Sequence, residues 1–401
     1  MSNSEQIFQR GYLNTYIIGS VPSFSSLDLV CKDKEEVFIF IDFNNAIKGL
    51  YYPKMLELII QETQLNNGVF PSILINDWKV LQKYLESYAE TRNIKKFHVI
   101  YFSEGGQSYY HKNILKTYKS NRKSAIFQIN PTVSNYFSSY DDIQELIRNF
   151  IISSWKWIEY YSKQANILSI RLENLDADFI PELLLRQYDI YNDNAVYLIL
   201  SSDGDYLQTL DFADNVYIFD GNTLITDKNW LNSKQYLYPK ISNQNNTIQE
   251  DNIEQDISDY KNNPIVLNEL GLPNISADKI ILYKALVGDT SDHIPGIKGI
   301  GVKGFFNKFI QLIPNNIRAD DIDSILDICK EHKDDNKICN KIINDSNIFK
   351  DMIKLVSFKM VINWLMLNKQ RYDSIDKIIK ENISALTESC YLKKLEENLN
   401  G

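Results

Sequence analysis

An apolar run that stops on a charge constrains this chain most: Val37-Phe38-Ile39-Phe40-Ile41 is followed at once by Asp42. β-Branched and aromatic residues with no polar alternate suit a strand buried on both faces, as in a parallel sheet covered by helices. Two more runs share this character, Phe97-His98-Val99-Ile100-Tyr101-Phe102 and Ala195-Val196-Tyr197-Leu198-Ile199-Leu200, and residues 215–219 read as another strand. Helical periodicity lies between them. Trp78, Leu81, Tyr84, Leu85 and Tyr88 fall on one face across residues 77–91, and residues 141–161 read as a long amphipathic helix with Trp155, Trp157 and Tyr161 as core positions. Strands alternating with helices predict an α/β fold, a mainly parallel central sheet flanked by helices.

This α/β core is expected over residues 37–240. Residues 1–36 are polar and irregular, an extension with no assigned role. Residues 241–263 are rich in Asn, Gln and Asp, which predicts a polar linker or loop, and residues 264–401 read as helical apart from the Gly/Pro-rich stretch 295–304. No apolar stretch approaches bilayer-spanning length, and no basic start precedes an apolar segment near residue 1. An intracellular protein without a membrane partner is therefore expected, in the cytoplasm of the cell or, for a phage-encoded chain, of its host. Cys31, Cys329, Cys339 and Cys390 show neither metal-ligand nor disulfide spacing. The net charge of −9 argues against a nucleic-acid partner on its face. Carboxylates neutralised by bound ions remove most of that objection, and phosphate binding depends on local basic patches.

Acidic residues recur where such folds place ligands, at the carboxyl ends of strands. Asp42 ends the first run. The run 195–200 leads into Ser201-Ser202-Asp203-Gly204-Asp205, where Gly204 lets two carboxylates turn toward one point. Asp176 and Asp178 precede a helix beginning near Ile180, and Asp289 and Asp292 are spaced for one helical face or one tight turn. Seven gathered carboxylates require cations between them. Oxygen-only ligands favour Mg²⁺ or Mn²⁺ over zinc. Two such ions about 4 Å apart can activate a water and stabilise the leaving oxygen of a phosphodiester.

The stretch 285–304 contains Gly296-Ile297-Lys298-Gly299-Ile300-Gly301, a tight turn into a new helix near Val302. Amides exposed there, with Lys298, Lys303 and Lys308 nearby, suit a phosphate backbone read without base contacts. It is not a nucleotide-binding P-loop, because Val302 follows Gly301.

Taken together, these segments resemble the 5′-nucleases: flap endonucleases, the 5′–3′ exonuclease domains of bacterial DNA polymerases, and phage-type ribonuclease H enzymes. Residues 285–304 are similar to that family's helix–three-turn–helix, 199–208 to its Ser-x-Asp-x-Asp motif, and Tyr118-Lys119-Ser120-Asn121-Arg122 to its Tyr-Lys-x-x-Arg segment. Residues 175–184 and Ile41-Asp42 match its other acidic motifs more loosely. The resemblance implies a PIN-like nuclease core, a helical arch over about 104–140, and a C-terminal DNA-binding region. It implies two Mg²⁺ (or Mn²⁺) ions held by Asp42, Asp176, Asp178, Asp203, Asp205, Asp289 and Asp292. It further implies Lys119 and Arg122 as the catalytic cations, Tyr118 stacking on a base, and duplex backbone gripped by Gly296, Lys298, Gly299, Gly301 and Lys303, with K⁺ at the hairpin. The expected activity is 5′–3′ exonuclease or flap endonuclease action on DNA or RNA–DNA hybrids in replication or repair, by a monomer, with replication proteins as candidate partners.

The chain departs from the family at three points. Ser103-Glu104 stands where the family has Asp after the second strand, so Glu104 is the expected substitute ligand; Tyr110 replaces an Arg, and Phe179 replaces an Asp. The changes at Ser103 and Phe179 favour an alternative, a catalytically weakened relative that binds branched DNA. A magnesium phosphatase using Asp42, Asp203 and Asp205 is more distant, because it leaves the glycine-rich hairpin unexplained.

Overall fold

The structure, a computed structural model, describes residues 22–48, 72–120, 152, 154–162, 167–188, 190–221, 223–227, 229–230 and 275–388. The polar stretch 241–263, Arg122 and the arch beyond residue 120 lie outside these residues. The first half contains helix α1 (Phe24–Cys31), strand β1 (Glu36–Asp42), helices α2 (Phe43–Lys48) and α3 (Ser72–Thr91), strand β2 (Lys96–Gly105) and helix α4 (Tyr109–Ile114). Strand β3 (Leu168–Glu173), helix α5 (Ile180–Gln187) and strands β4 (Ala195–Leu200), β5 (Val216–Phe219) and β6 (Leu224–Ile225) follow. Helices α6 (Ile280–Val287), α7 (Val302–Gly304), α8 (Ile322–His332), α9 (Lys337–Asn344), α10 (Ser346–Val356), α11 (Phe358–Leu367) and α12 (Lys369–Glu388) complete the described chain.

The six strands form one sheet in the order β3-β2-β1-β4-β5-β6, parallel except for the β5–β6 pair. The pleat explains the unbroken apolar run of β1. Val37, Ile39 and Ile41 enter one core cluster with Leu81, Leu85 and Tyr88 of α3, whereas Phe38 and Phe40 enter the other with Leu183 and Leu184 of α5. Both faces are covered, so no position can be polar until the strand ends at Asp42.

Two expectations need correcting. Residues 168–173 form an additional strand; its alternating burial, inward Leu168, Ile170 and Leu172, marks a sheet edge rather than the continuous apolar signal of β1. The segment before residue 37 is not uniformly irregular. Ser23 caps α1, which buries Phe24, Leu27 and Cys31 against Tyr84 and Tyr88, and Arg92 grips Asp28 with two hydrogen bonds of 2.7 and 2.6 Å. The long helix expected over 141–161 is described at residue 152 and residues 154–162, which are helical and bury Trp155 and Ile158.

The C-terminal helices share the α5 side of the core and are tied to the α/β unit by polar bonds. Gln208 donates to the Val356 carbonyl (3.1 Å) and accepts from the Phe358 amide (2.8 Å). Tyr110 donates to the Lys354 carbonyl at 3.0 Å, so the residue replacing an arginine docks the helical region.

After α6 the chain makes a small antiparallel bridge between Asp289 and Ile294, and Ile297 N–H returns to the Leu286 carbonyl at 2.9 Å. Gly296 has φ +66, and a Cβ there would lie 2.6 Å from Gly288 N and 2.7 Å from Leu286 O. Gly301 has φ −112 and open space where a Cβ would stand. Gly296→Ala should therefore destabilise the protein by about 2–4 kcal/mol and Gly301→Ala by no more than about 0.5 kcal/mol, measured by denaturant unfolding. Equal effects would contradict this reading of the turn.

Candidate metal and nucleic-acid site

The order of the sheet reverses at β1, which lies between β2 and β4, and the crevice at such a reversal is where α/β sheets bind ligands. Asp42 closes β1 there, and Asp203 follows β4. Asp203 caps the 3-10 helix Gly204–Asp211, accepting the Asp205 amide at 3.1 Å, so one short turn presents both carboxylates. Asp178 joins them from the turn before α5. Each of Asp178, Asp203 and Asp205 offers an oxygen within 4.8 Å of the others. Three carboxylates without imidazole or thiolate fit a hard divalent cation such as Mg²⁺ or Mn²⁺.

Asp42 stands beside this trio, 4% exposed. Its Oδ1 accepts the Asn45 amide (2.8 Å), and its Oδ2 accepts the hydroxyls of Ser201 (3.2 Å) and Tyr206 (3.0 Å). The remaining aspartates meet two part-buried lysines. Lys119 Nζ lies 3.1 Å from Asp176 and 3.9 Å from Asp292, and the Tyr118 hydroxyl stands 2.7 and 3.1 Å from the same two carboxylates, with one proton to donate to either. Lys284 pairs with Asp205 and, at 2.8 Å, with Asp289. All seven sequence-picked aspartates thus converge on one region, with Asp289 and Asp292 in the turn that opens the hairpin.

The pleat also accounts for the Ser103-Glu104 departure. Ser103 points to Asn44 Oδ1, 3.0 Å away, on the opposite face from Glu104. Glu104, carried on by the extension of β2 to Gly105, lies near Asp176 and acts electrostatically on Lys119 and Asp178. Phe179 is buried in the core at the start of α5.

Tyr118 differs from expectation. It is 4% exposed, and its ring stacks on His111 at 4.5 Å, so it lies beneath the carboxylates rather than on a surface open to a base. The aromatic signal in sequence was sound, but burial decides what a tyrosine touches. Lys298, Gly299, Gly301 and Lys303 are exposed at the hairpin. Lys341 of α9 braces that turn, donating to the Lys298 carbonyl at 2.9 Å.

Sequence reading missed Lys284, His111, Tyr206 and Lys341. Lys284 carried a usable signal as the one charge in the apolar helix IILYKALV, five residues before Asp289. His111 lies 3.3 Å from Asp176 through a fold no local spacing announces.

Burial dominates the electrostatics. It raises Asp178 well above the ordinary carboxylate range, Asp203 and Asp42 adding to the effect and Lys119 opposing it. Asp205 is pushed up to about 7, by burial first and then by Asp203, against the pull of Lys284. Asp289 goes the other way, to about 2, because Lys284 and Ser291 outweigh its burial. Burial lowers His111 to about 4. Burial thus favours the protonated forms of Asp178 and Asp205, and a ligating cation would have to expel those protons. Mn²⁺ affinity should therefore fall as pH drops from 8 to 6, through the range where Asp205 takes up its proton. Titration calorimetry in buffers of different ionisation heat should register the released protons; a pH-independent affinity would contradict the assignment.

No protein-family profile matches the chain. Over 171 residues, 43% of this chain, it is 28% identical to a DNA polymerase I of Borreliella burgdorferi, a stretch that spans 14% of that protein. Among solved structures it is similar to the phage T5 D15 protein co-crystallised with metal ions, with a TM-score of 0.53 and 14% identity over 87% of this chain and 99% of that one. It is similar, again with a TM-score of 0.53, to the T5 D15 flap endonuclease in a complex with DNA and metal ions, at 13% identity over 88% of this chain and 100% of that one. The T5 5′-exonuclease with bound divalent zinc gives the same TM-score, at 14% identity over 88% of this chain and 100% of that one. The chain has the fold of the T5 5′-exonuclease, a mainly parallel sheet between helices with a helical C-terminal region.

Proposed function

We propose that this chain is a divalent-metal-dependent 5′-nuclease that hydrolyses phosphodiesters near the 5′ ends of DNA or RNA–DNA hybrids, at flaps or exonucleolytically, in primer or flap removal. The observation that carries this reading is the convergence of Asp178, Asp203 and Asp205 within 4.8 Å at the sheet's reversal point. The T5 fold supports it.

In this reading the trio and Asp42 hold one ion, and Asp176, Asp289, Asp292 and Glu104 serve the second. Bound Mg²⁺ supplies positive charge for the scissile phosphate and a water acidic enough to attack it. The chain's own groups do the rest. Lys119, 3.1 Å from Asp176, borders the site from the segment leading to Arg122, where its ammonium would offer positive charge to the scissile phosphate. The hairpin holds duplex backbone through Lys298 and Lys303, sequence-independently, and is the place for K⁺. Tyr118 keeps Asp176 and Asp292 in register.

One observation favours the weaker alternative, a structure-specific DNA-binding protein with little turnover. Lys119 and Lys284 already pair with Asp176, Asp205, Asp289 and Asp292, leaving fewer unmatched charges for a second ion. Among the described residues no helix is long and apolar enough to cross a membrane.

A 5′-labelled flap, a nicked duplex and an RNA–DNA hybrid, each with and without Mg²⁺, distinguish these readings. Cleavage should require the ion, and Asp203→Ala should reduce it by more than about 100-fold, since even outer-shell partners of a metal are worth about 10- to 100-fold. Flap binding should survive the substitution. Salt-sensitive flap binding with wild-type turnover no faster than Asp203→Ala would establish the alternative.

A further inference from the structure

The nuclease reading gives no role to the hydroxyl of Tyr206, a buried polar group at the acidic cluster. The side chain is fully buried, and its ring is held edge-on by Phe102 and Phe358, with centroids 6.1 Å away in each case. Only the hydroxyl leaves this apolar cage. It emerges between carboxylates from distant parts of the chain, 3.0 Å from Asp42 Oδ2 and 3.3 Å from Asp178 Oδ1.

A phenylalanine would fill the same cage without burying a polar atom, and a buried hydroxyl costs free energy unless it is paired. The pairing here joins three acidic segments. Tyr206 directly follows Asp205 in the turn that carries Asp203 and Asp205, Asp178 comes from the approach to α5, and Asp42 ends β1. Asp42 lies outside the trio, and its other oxygen is already taken by the Asn45 amide. A phenol has one proton and donates it to one carboxylate at a time; Asp42 Oδ2 is the nearer acceptor.

We infer that Tyr206 is a positioning residue whose hydroxyl holds Asp42 against Asp178, Asp203 and Asp205, so that the carboxylate of β1 presents to the same ion as the trio. This inference rests on the divalent-metal reading of the site. It assigns the tyrosine no contact with substrate: the residue acts through Asp42, as outer-shell donors orient metal-binding carboxylates elsewhere.

The test is Tyr206→Phe in the full chain, with Mn²⁺ binding followed by calorimetry in the absence of DNA. Affinity should fall about 10-fold. The Mn²⁺ concentration for half-maximal cleavage should rise by the same factor, with KM for flap DNA unchanged at saturating metal. In an Asp42→Asn background, adding Y206F should cost less than about twofold, because the carboxylate it orients is gone. Wild-type Mn²⁺ affinity in Y206F, or a 10-fold loss that persists in the D42N background, would overturn the inference. Asp42→Asn alone should also weaken Mn²⁺ binding; if it binds like wild type, the inference falls whether or not Y206F folds. A wild-type chain that binds Mn²⁺ but cuts no 5′-ended substrate refutes the nuclease reading and leaves the calorimetric comparison intact. A wild-type chain that binds no Mn²⁺ overturns the inference itself.

Discussion

The structure depends on compensating negative charge that has been taken out of water. Two unit charges 4 Å apart repel by about 4 kcal/mol at the effective dielectric of a protein site, and here seven aspartates share one crevice. Three devices carry this load. Burial favours the protonated forms of Asp178 and Asp205. Lys119 and Lys284 supply part-buried ammonium groups to Asp176, Asp292, Asp205 and Asp289. Tyr118, Tyr206 and Ser201 each donate a hydroxyl proton to a carboxylate of the cluster. All three devices act on the same crevice, so its negative charge is compensated by groups of the chain itself.

The fold supplies this concentration of charge from segments far apart in the chain. Parallel strands bring Asp42 and the Asp203–Asp205 turn to the same edge of the sheet, in register through the β1–β4 pairing. The helical region contributes Asp289 and Asp292 by docking on the same side as α5, held by Gln208 and Tyr110. One packing interface thus completes the acidic cluster and points the glycine-rich hairpin outward beside it. Lys341, reaching from α9 to the Lys298 carbonyl, links that hairpin to the helices behind it.

The departures from the 5′-nuclease pattern become intelligible at this scale. A one-residue shift along a strand changes the face a side chain takes. Ser103 therefore turns to Asn44 while Glu104, one step on, faces Asp176 and Lys119. Phe179 gives up a carboxylate and gains a place in the core beneath the site. The acidic count falls by one at that position, and the hydroxyl of Tyr206 reaches Asp178 from the other side.

Local chemistry made much of this legible beforehand. An apolar run with no polar alternate has few fates, so β1, β2 and β4 and their burial followed from composition over six or seven residues. Charged residues at the ends of such runs announced the acidic cluster in the same way, and closely spaced glycines, of which Gly296 has no room for a side chain, announced the hairpin. Strand β3 was faint because an edge strand buries one face, and a pattern as short as Leu168-Ser169-Ile170 is shared with loops. Contacts across the chain were silent. That Tyr118 lies under the carboxylates, that Lys284 bridges Asp205 and Asp289, and that Tyr206 meets Asp42 are consequences of packing between segments tens of residues apart. Backbone propensity and hydrophobic periodicity act over a few neighbours and are written in order along the chain. The partner of a buried polar group is chosen by whichever element the closed core brings within hydrogen-bond reach, and that choice exists only once the core has formed.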